Sequence, residues 1–217
     1  MQYLYGTVQE PRIRCLIQFQ NHIDGTALKR AIDLSIGAVP LLACVFDGRR
    51  RCWENHAFTA DDIFRLIESP EENETFPLKV LLTSIDCIHE PQLKIFLVRN
   101  AKRDTLCAII NHMICDGAGF KKYLYLLCDL YSKCEQNPDY SEKPELSGKR
   151  NLNQLLQNFS FTEKLKILFS KSVFGEPDPS MILPIKENSM TPEISIARLK
   201  KETFCAIQSF AKENMRP

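Results

Sequence analysis

The sequence predicts an α/β fold of the two-layer α+β sandwich type, a mixed sheet with helices packed on it. Three observations point there. Short β-prone apolar segments recur along the chain, other segments place apolar residues at helical spacing, and the two kinds interleave without a regular βαβ rhythm. The 217 residues suffice for one large domain or two small ones. With 44% hydrophobic and 25% charged residues, the composition is that of an ordinary soluble globular protein.

Residues 12–20 alternate around Ile13, Cys15, Ile17 and Phe19, the pattern of a strand with one buried face. Asp24-Gly25-Thr26 then supplies turn and N-cap chemistry. Leu28, Ala31, Ile32, Ile36 and Val39 follow at helical spacing, and Pro40 stops the helix. Residues 41–46 read as a short strand, turned at Asp47-Gly48 into a second around Cys52-Trp53. After a polar stretch, residues 78–85 and 93–98 read as two further strands. Residues 105–110 are almost continuously apolar, which predicts a central strand buried on both faces and ending at Asn111-His112.

Beyond Asp116-Gly117 a helix is expected, with Phe120, Tyr123, Leu124, Leu127, Leu130 and Tyr131 along one face. Residues 136–150 are polar, with two prolines and a glycine, and read as a linker or surface loop. Helical patterns at 152–159 and 162–169 follow. A connection containing Pro177, Pro179 and Pro184 then leads to an expected strand at 193–199 and a last helix at 202–213. There is no internal repeat and no low-complexity tract.

Composition also excludes function classes. A formal net charge of +1 gives no electrostatic pull toward nucleic acid or anionic lipid. No stretch approaches the roughly 20 apolar residues of a membrane span. Met1 leads into polar and turn residues, with no apolar run after a positive cluster, so a cytoplasmic protein is expected. The nine cysteines are an odd number without a Cys-x-x-Cys. Cys15, Cys44, Cys107, Cys128 and Cys205 lie inside apolar strand or helix patterns, which predicts buried reduced thiols. The four histidines lack ligand spacing with any cysteine pair, so no metal site is expected. His22, His56 and His89 read as surface residues, and Arg49-Arg50-Arg51 as a solvated hairpin edge.

The informative segment runs from Ile109 to Gly119, where a buried strand leads into His112-Met113-Ile114-Cys115-Asp116-Gly117 and then an amphipathic helix. A histidine at a strand's end is held by stiff backbone and projects into whatever lies beyond. Asp116 at the helix start suits an N-cap or a charge partner, and Gly117 permits an approach that a Cβ would block. The same residues are also ordinary punctuation between a strand and a helix.

This His-x-x-x-Asp-Gly, in this setting, resembles the His-His-x-x-x-Asp-Gly of condensation domains and related CoA-dependent acyltransferases of the chloramphenicol acetyltransferase-like superfamily. Ile23-Asp24 with Leu28, Ala31-Ile32, Pro40 and Leu42 are similar to that family's opening pattern. The resemblance implies one lobe of the two-lobed fold. Residues 1–190 would form the N-terminal lobe, and residues 191–217 a crossover strand and helix at the start of a C-terminal lobe that this chain lacks. That second lobe, or a partner chain in its place, is expected to complete the cleft.

The implied activity is acyl transfer from an acyl-CoA or phosphopantetheine carrier thioester to a small-molecule hydroxyl or amine. No tightly bound cofactor is implied, and the 217-residue half alone is expected to be inactive. His112 matches the catalytic base, while Asn111, Asp116 and Gly117 match structural positions at the site. Two departures stand out. Asn111 replaces the first histidine of the pair, and Ala43 stands where many relatives carry the arginine after Pro-x-Leu. The resemblance pairs Asp116 with an arginine, for which Arg12 or Arg14 is left. These departures keep a second reading open, a non-catalytic lobe that binds a carrier protein or partner chain.

Overall fold

In the computed structural model, residues 12–69, 75–142, 144, 160, 162, 163, 194 and 196–214 are described. Contacts divide the chain into two units, Met1–Glu187 and Asn188–Pro217. The first unit contains β1 (Arg12–Gln18), α1 (Gly25–Ala38), a 3-10 turn (Pro40–Ala43), β2 (Cys44–Asp47), β3 (Cys52–Asn55), α2 (Ala60–Ile63), β4 (Phe64–Glu68), α3 (Phe76–Leu81), β5 (Leu93–Arg99), β6 (Asp104–Asn111) and α4 (Gly117–Gln136). In the second unit the described residues form α5 (Lys201–Asn214).

Four strands make one mixed sheet in the order β1-β6-β5-β4, with β4 and β5 parallel and the other pairs antiparallel. A separate hairpin pairs β2 with β3. Register decides which side chains meet, because alternate residues of a strand share a face. Ile13, Cys15 and Ile17 of β1 stand opposite Ile110, Ala108 and Leu106 of β6, which stand opposite Leu93, Ile95 and Leu97 of β5. That face packs on Ala27, Leu28, Ala31 and Ile32 of α1 and on Phe120, Tyr123, Leu127 and Leu130 of α4. Asp24 caps α1 by accepting from the Thr26 and Ala27 amides, and its own N–H donates to the Tyr131 hydroxyl of α4 at 3.1 Å.

The opposite face is buried as well, at Phe96, Val98, Cys107 and Ile109. The α3 segment covers part of it: the Cys107 thiol donates to the Pro77 carbonyl, and Arg14 Nε donates to the Leu81 carbonyl at 2.6 Å. All eight residues of β6 are therefore buried, the apolar residues 106–110 as their run predicts and the polar Asp104, Thr105 and Asn111 with them.

Several expectations need correction. Residues 78–85 do not form a strand, because Pro77, Val80 and Leu81 fall on one face at helical spacing and α3 starts with its proline in the first turn. The stretch read as polar hides α2, opened by a Thr59–Asp62 capping box, and the edge strand β4. β4 carries Arg65 and Glu68 and is largely exposed, so its apolar alternation is weak. The segment read as a strand at 41–46 begins as the 3-10 turn before β2. Residues 194 and 196–199 adopt no regular structure where a strand was expected. Cys128 and Cys205 are exposed, whereas Cys44 and Cys107 are buried and Cys15 is half-buried. The helical patterns at 152–159 and 162–169 lie outside the described residues except for Thr162 and Glu163, which are helical. No described helix is long and apolar enough to cross a membrane.

Candidate active site

β6 is an interior strand, and its last residue, Asn111, is 3% exposed. His112 follows immediately in a turn and is exposed. The turn is tightly specified. Ile114 N–H donates to the Asn111 carbonyl at 3.2 Å, and Met113 N–H donates to Asn111 Oδ1 at 2.9 Å, an Asx turn closed by the residue before the histidine.

The other end of the Asn111 carboxamide is held from behind. Asn111 Nδ2 donates to Gln92 Oε1 at 2.7 Å, and Asn111 N–H donates to the Gln92 carbonyl at 2.9 Å. Gln92 is fully buried, and its Nε2 shares its two protons among the carbonyls of Cys44, Cys87 and Glu90 at 3.0, 3.2 and 2.9 Å. Its backbone N–H donates to the Leu42 carbonyl at 3.0 Å. Sequence reading missed Gln92 altogether. A single polar residue between Pro91 and an apolar strand carries no periodic signal; only its burial reveals it.

Asp116 is exposed and N-caps α4, with Oδ1 accepting the Gly119 N–H at 2.6 Å. Among the described residues no arginine pairs with it. Arg12 Nη2 instead donates to the Ile85 carbonyl at 3.1 Å and Arg14 Nε to that of Leu81, both on the α3 side of the sheet. The architectural role expected of Asp116 is therefore filled by a helix cap. Ala43, which the resemblance sets against an arginine, is 2% exposed in the 3-10 turn.

The two glycines beside Asp116 behave differently. A Cβ built on Gly117 meets nothing within 4 Å, whereas one on Gly119 lies 3.1 Å from both Asp116 Oδ1 and Cys115 Cβ. Gly119 keeps the cap compact; Gly117 leaves open space. Replacing Asp116 with Ala should lower the melting temperature by about 2–4 °C, and Asp116→Asn, a comparable cap, by less. Gly117→Ala should leave melting almost unchanged. Thermal denaturation of the three variants checks this, and a large loss in Gly117→Ala would contradict the open geometry.

The His112 ring makes no hydrogen bond to a described residue. The remaining histidines are exposed: His22 Nε2 lies 2.9 Å from the Asn100 carbonyl, His56 stacks on Phe58, and His89 Nδ1 lies 2.7 Å from Asp86 Oδ2. Two open depressions of about 460 and 480 Å³ share Arg99 in their walls and include His22 and Asn100 in one, Phe64 and Leu66 in the other. The first lies at the β5–β6 turn, the far end of β6 from His112, and the second between the start of α1 and β4.

At that far end an ion pair between a buried carboxylate and a partly exposed guanidinium closes the sheet. Asp104 is fully buried and faces Arg99 across the β5–β6 register, with Nε–Oδ1 and Nη2–Oδ2 distances of 2.9 and 2.8 Å. Ile23 N–H also donates to Asp104 Oδ2 at 2.9 Å, and Arg99 Nη2 donates to the Ile23 carbonyl at 2.7 Å. Burial pushes the Asp104 carboxyl up, but the Arg99 guanidinium and the Ile23 amide outweigh it and hold the carboxyl below its ordinary range.

No family model and no curated protein matches the sequence. Solved structures do match it in fold. The first condensation domain of the calcium-dependent antibiotic synthetase superposes with a TM-score of 0.57 at 14% identity, covering 76% of this chain and 40% of that one. The epimerization domain from the third module of tyrocidine synthetase B gives 0.56 at 17% identity, covering 68% and 36%. The X-domain solved in complex with OxyB from teicoplanin biosynthesis gives 0.51 at 14% identity, covering 62% and 31%. This chain thus has the fold of one lobe of the condensation-domain type, the lobe that its motif resembles, and spans less than half the length of those proteins. They are a condensation domain, an epimerization domain and a domain held in a protein complex, so the fold is shared by proteins of different roles.

Proposed function

We propose that this chain supplies half of an acyl-transfer site, with His112 as the general base. The observation that supports it is the placement of His112: it leaves the end of an interior strand through a hydrogen-bonded turn and is exposed. The rest of the cleft would come from a second lobe, on a longer chain or on a partner.

In this reading an acceptor hydroxyl or amine loses its proton to the His112 imidazole while its oxygen or nitrogen attacks the carbonyl of a CoA- or carrier-bound thioester. The new C–O or C–N bond forms, the C–S bond breaks, and the imidazolium returns the proton to the departing thiolate. Asn111 and Asp116 hold the two ends of the segment that carries His112, and the open space at Gly117 leaves room for the pantetheine arm beside the backbone. The proposed cofactor requirement is therefore none beyond the donor thioester itself, and the cytoplasm, where such donors are made, is the proposed location.

A second reading is a binding lobe for a carrier or partner protein. The X-domain complex with OxyB favours it, as does a His112 ring that makes no hydrogen bond to a described residue. One assay separates the two readings. The chain assembled with its second lobe is offered acyl-CoA and acyl-carrier donors against a panel of alcohols and amines, and free thiol is measured. Acceptor-dependent thiol release supports transfer. Stable carrier binding without thiol release supports the binding lobe.

A further inference from the structure

We infer that Gln92 is the positioning residue for His112, acting through Asn111. Its functional meaning rests on the reading of His112 as a base, whereas its structural test does not. The polarity of the network is fixed from end to end. The carbonyls of Cys44, Cys87 and Glu90 only accept, so the group facing them is the Gln92 amide nitrogen. Gln92 Oε1 then has to accept, which requires a donor from Asn111, and this leaves Asn111 Oδ1 to accept the Met113 N–H. Neither carboxamide can flip without breaking its bonds. The turn that carries His112 is held in one orientation by a side chain twenty residues earlier in the chain.

Stability alone does not account for such an arrangement. A buried carboxamide pair replaced by apolar groups of the same shape is often nearly neutral, whereas a half-satisfied one is costly. What the polar pair adds is direction. Gln92 gathers three separate segments: the root of β2 at Leu42 and Cys44, the 87–90 loop, and the end of β6. The β2–β3 hairpin and the His112 turn consequently hang on one buried side chain, so a ligand that shifts the hairpin would also shift His112.

The test uses the 217-residue chain and nuclear magnetic resonance, with no acyl donor. In the unsubstituted protein the side-chain amide protons of Gln92 and Asn111 should exchange slowly. In Gln92→Met, Met113 N–H exchange should rise about tenfold or more while mid-strand Ile109 changes far less, and the His112 ring signals should broaden. A merely structural role would raise exchange at Ile109 and Met113 by the same factor and leave the His112 signals sharp. That outcome overturns the inference, as does an unchanged Met113 or free exchange of the Gln92 side chain in the unsubstituted protein. If Gln92→Met does not fold, Asn111→Leu carries the same readouts at Ile109 and the His112 ring. An absence of acyl transfer would leave these results standing, and their failure would leave the chemistry at His112 open.

Discussion

Replacing His112 with Ala, in the chain assembled with its second lobe, should lower acyl transfer by about 10²–10⁴-fold, the contribution of a positioned acid–base group. The melting temperature should scarcely move, since the ring is exposed and makes no hydrogen bond to a described residue. The loss should fall on kcat more than on KM, because proton transfer belongs to the transition state and donor binding does not. Wild-type turnover in His112→Ala would remove the catalytic assignment. Lost turnover with a lowered melting temperature would instead indicate a packing role for the ring.

The largest stability effect is expected at the opposite end of β6. Asp104→Ala leaves the Arg99 guanidinium and the Ile23 amide facing each other without the carboxylate that joins them, which should cost about 2 kcal/mol, less than stranding a fully buried charge because the Arg99 side chain keeps 28% of its surface in solvent. Chemical denaturation measures it. The pH dependence carries a definite sign. The folded carboxyl sits below its ordinary value of 3.8, so its contribution is present above that pH and is lost as pH falls through the lower folded value. Near neutral pH the variant should therefore be clearly weaker than the unsubstituted protein, and in strong acid the gap should narrow. A gap independent of pH would mean that packing, not the ion pair, is what the substitution removes. The variant should leave the His112 turn intact, since Gln92 holds that turn from a separate network.

The strength of each sequence signal tracks how much of an element is buried. β6, almost continuously apolar from 105 to 110, and α4, with Phe120, Tyr123, Leu127 and Leu130 on one face, were legible because both bury continuous or strictly periodic surface. β4 was not, because an edge strand exposing Arg65, Leu66 and Glu68 has little pattern to read. α3 was misread because a single turn and a half of helix shows too few positions to separate a period of 3.6 from a period of 2. At the candidate site, His112, Asp116 and Gly117 stood out through local spacing. Gln92 was not, since its partners at Leu42, Cys44, Cys87 and Asn111 are assembled only by folding. Of the two roles that the helix-start position offered Asp116, the N-cap is the one observed, filled by an amide three residues away, while the arginine implied by the resemblance is not found among the described residues.

Arg12 and Arg14 also bear on how an outermost strand of the described sheet is held. β1 is bonded along its length to β6 on one side. Its two arginines add a second kind of attachment, reaching across the face of the sheet to the carbonyls of Ile85 and Leu81. The side chains considered for a salt bridge to Asp116 thus act as tethers between a strand and the segment packed beneath it, so loosening α3 would loosen β1 with it.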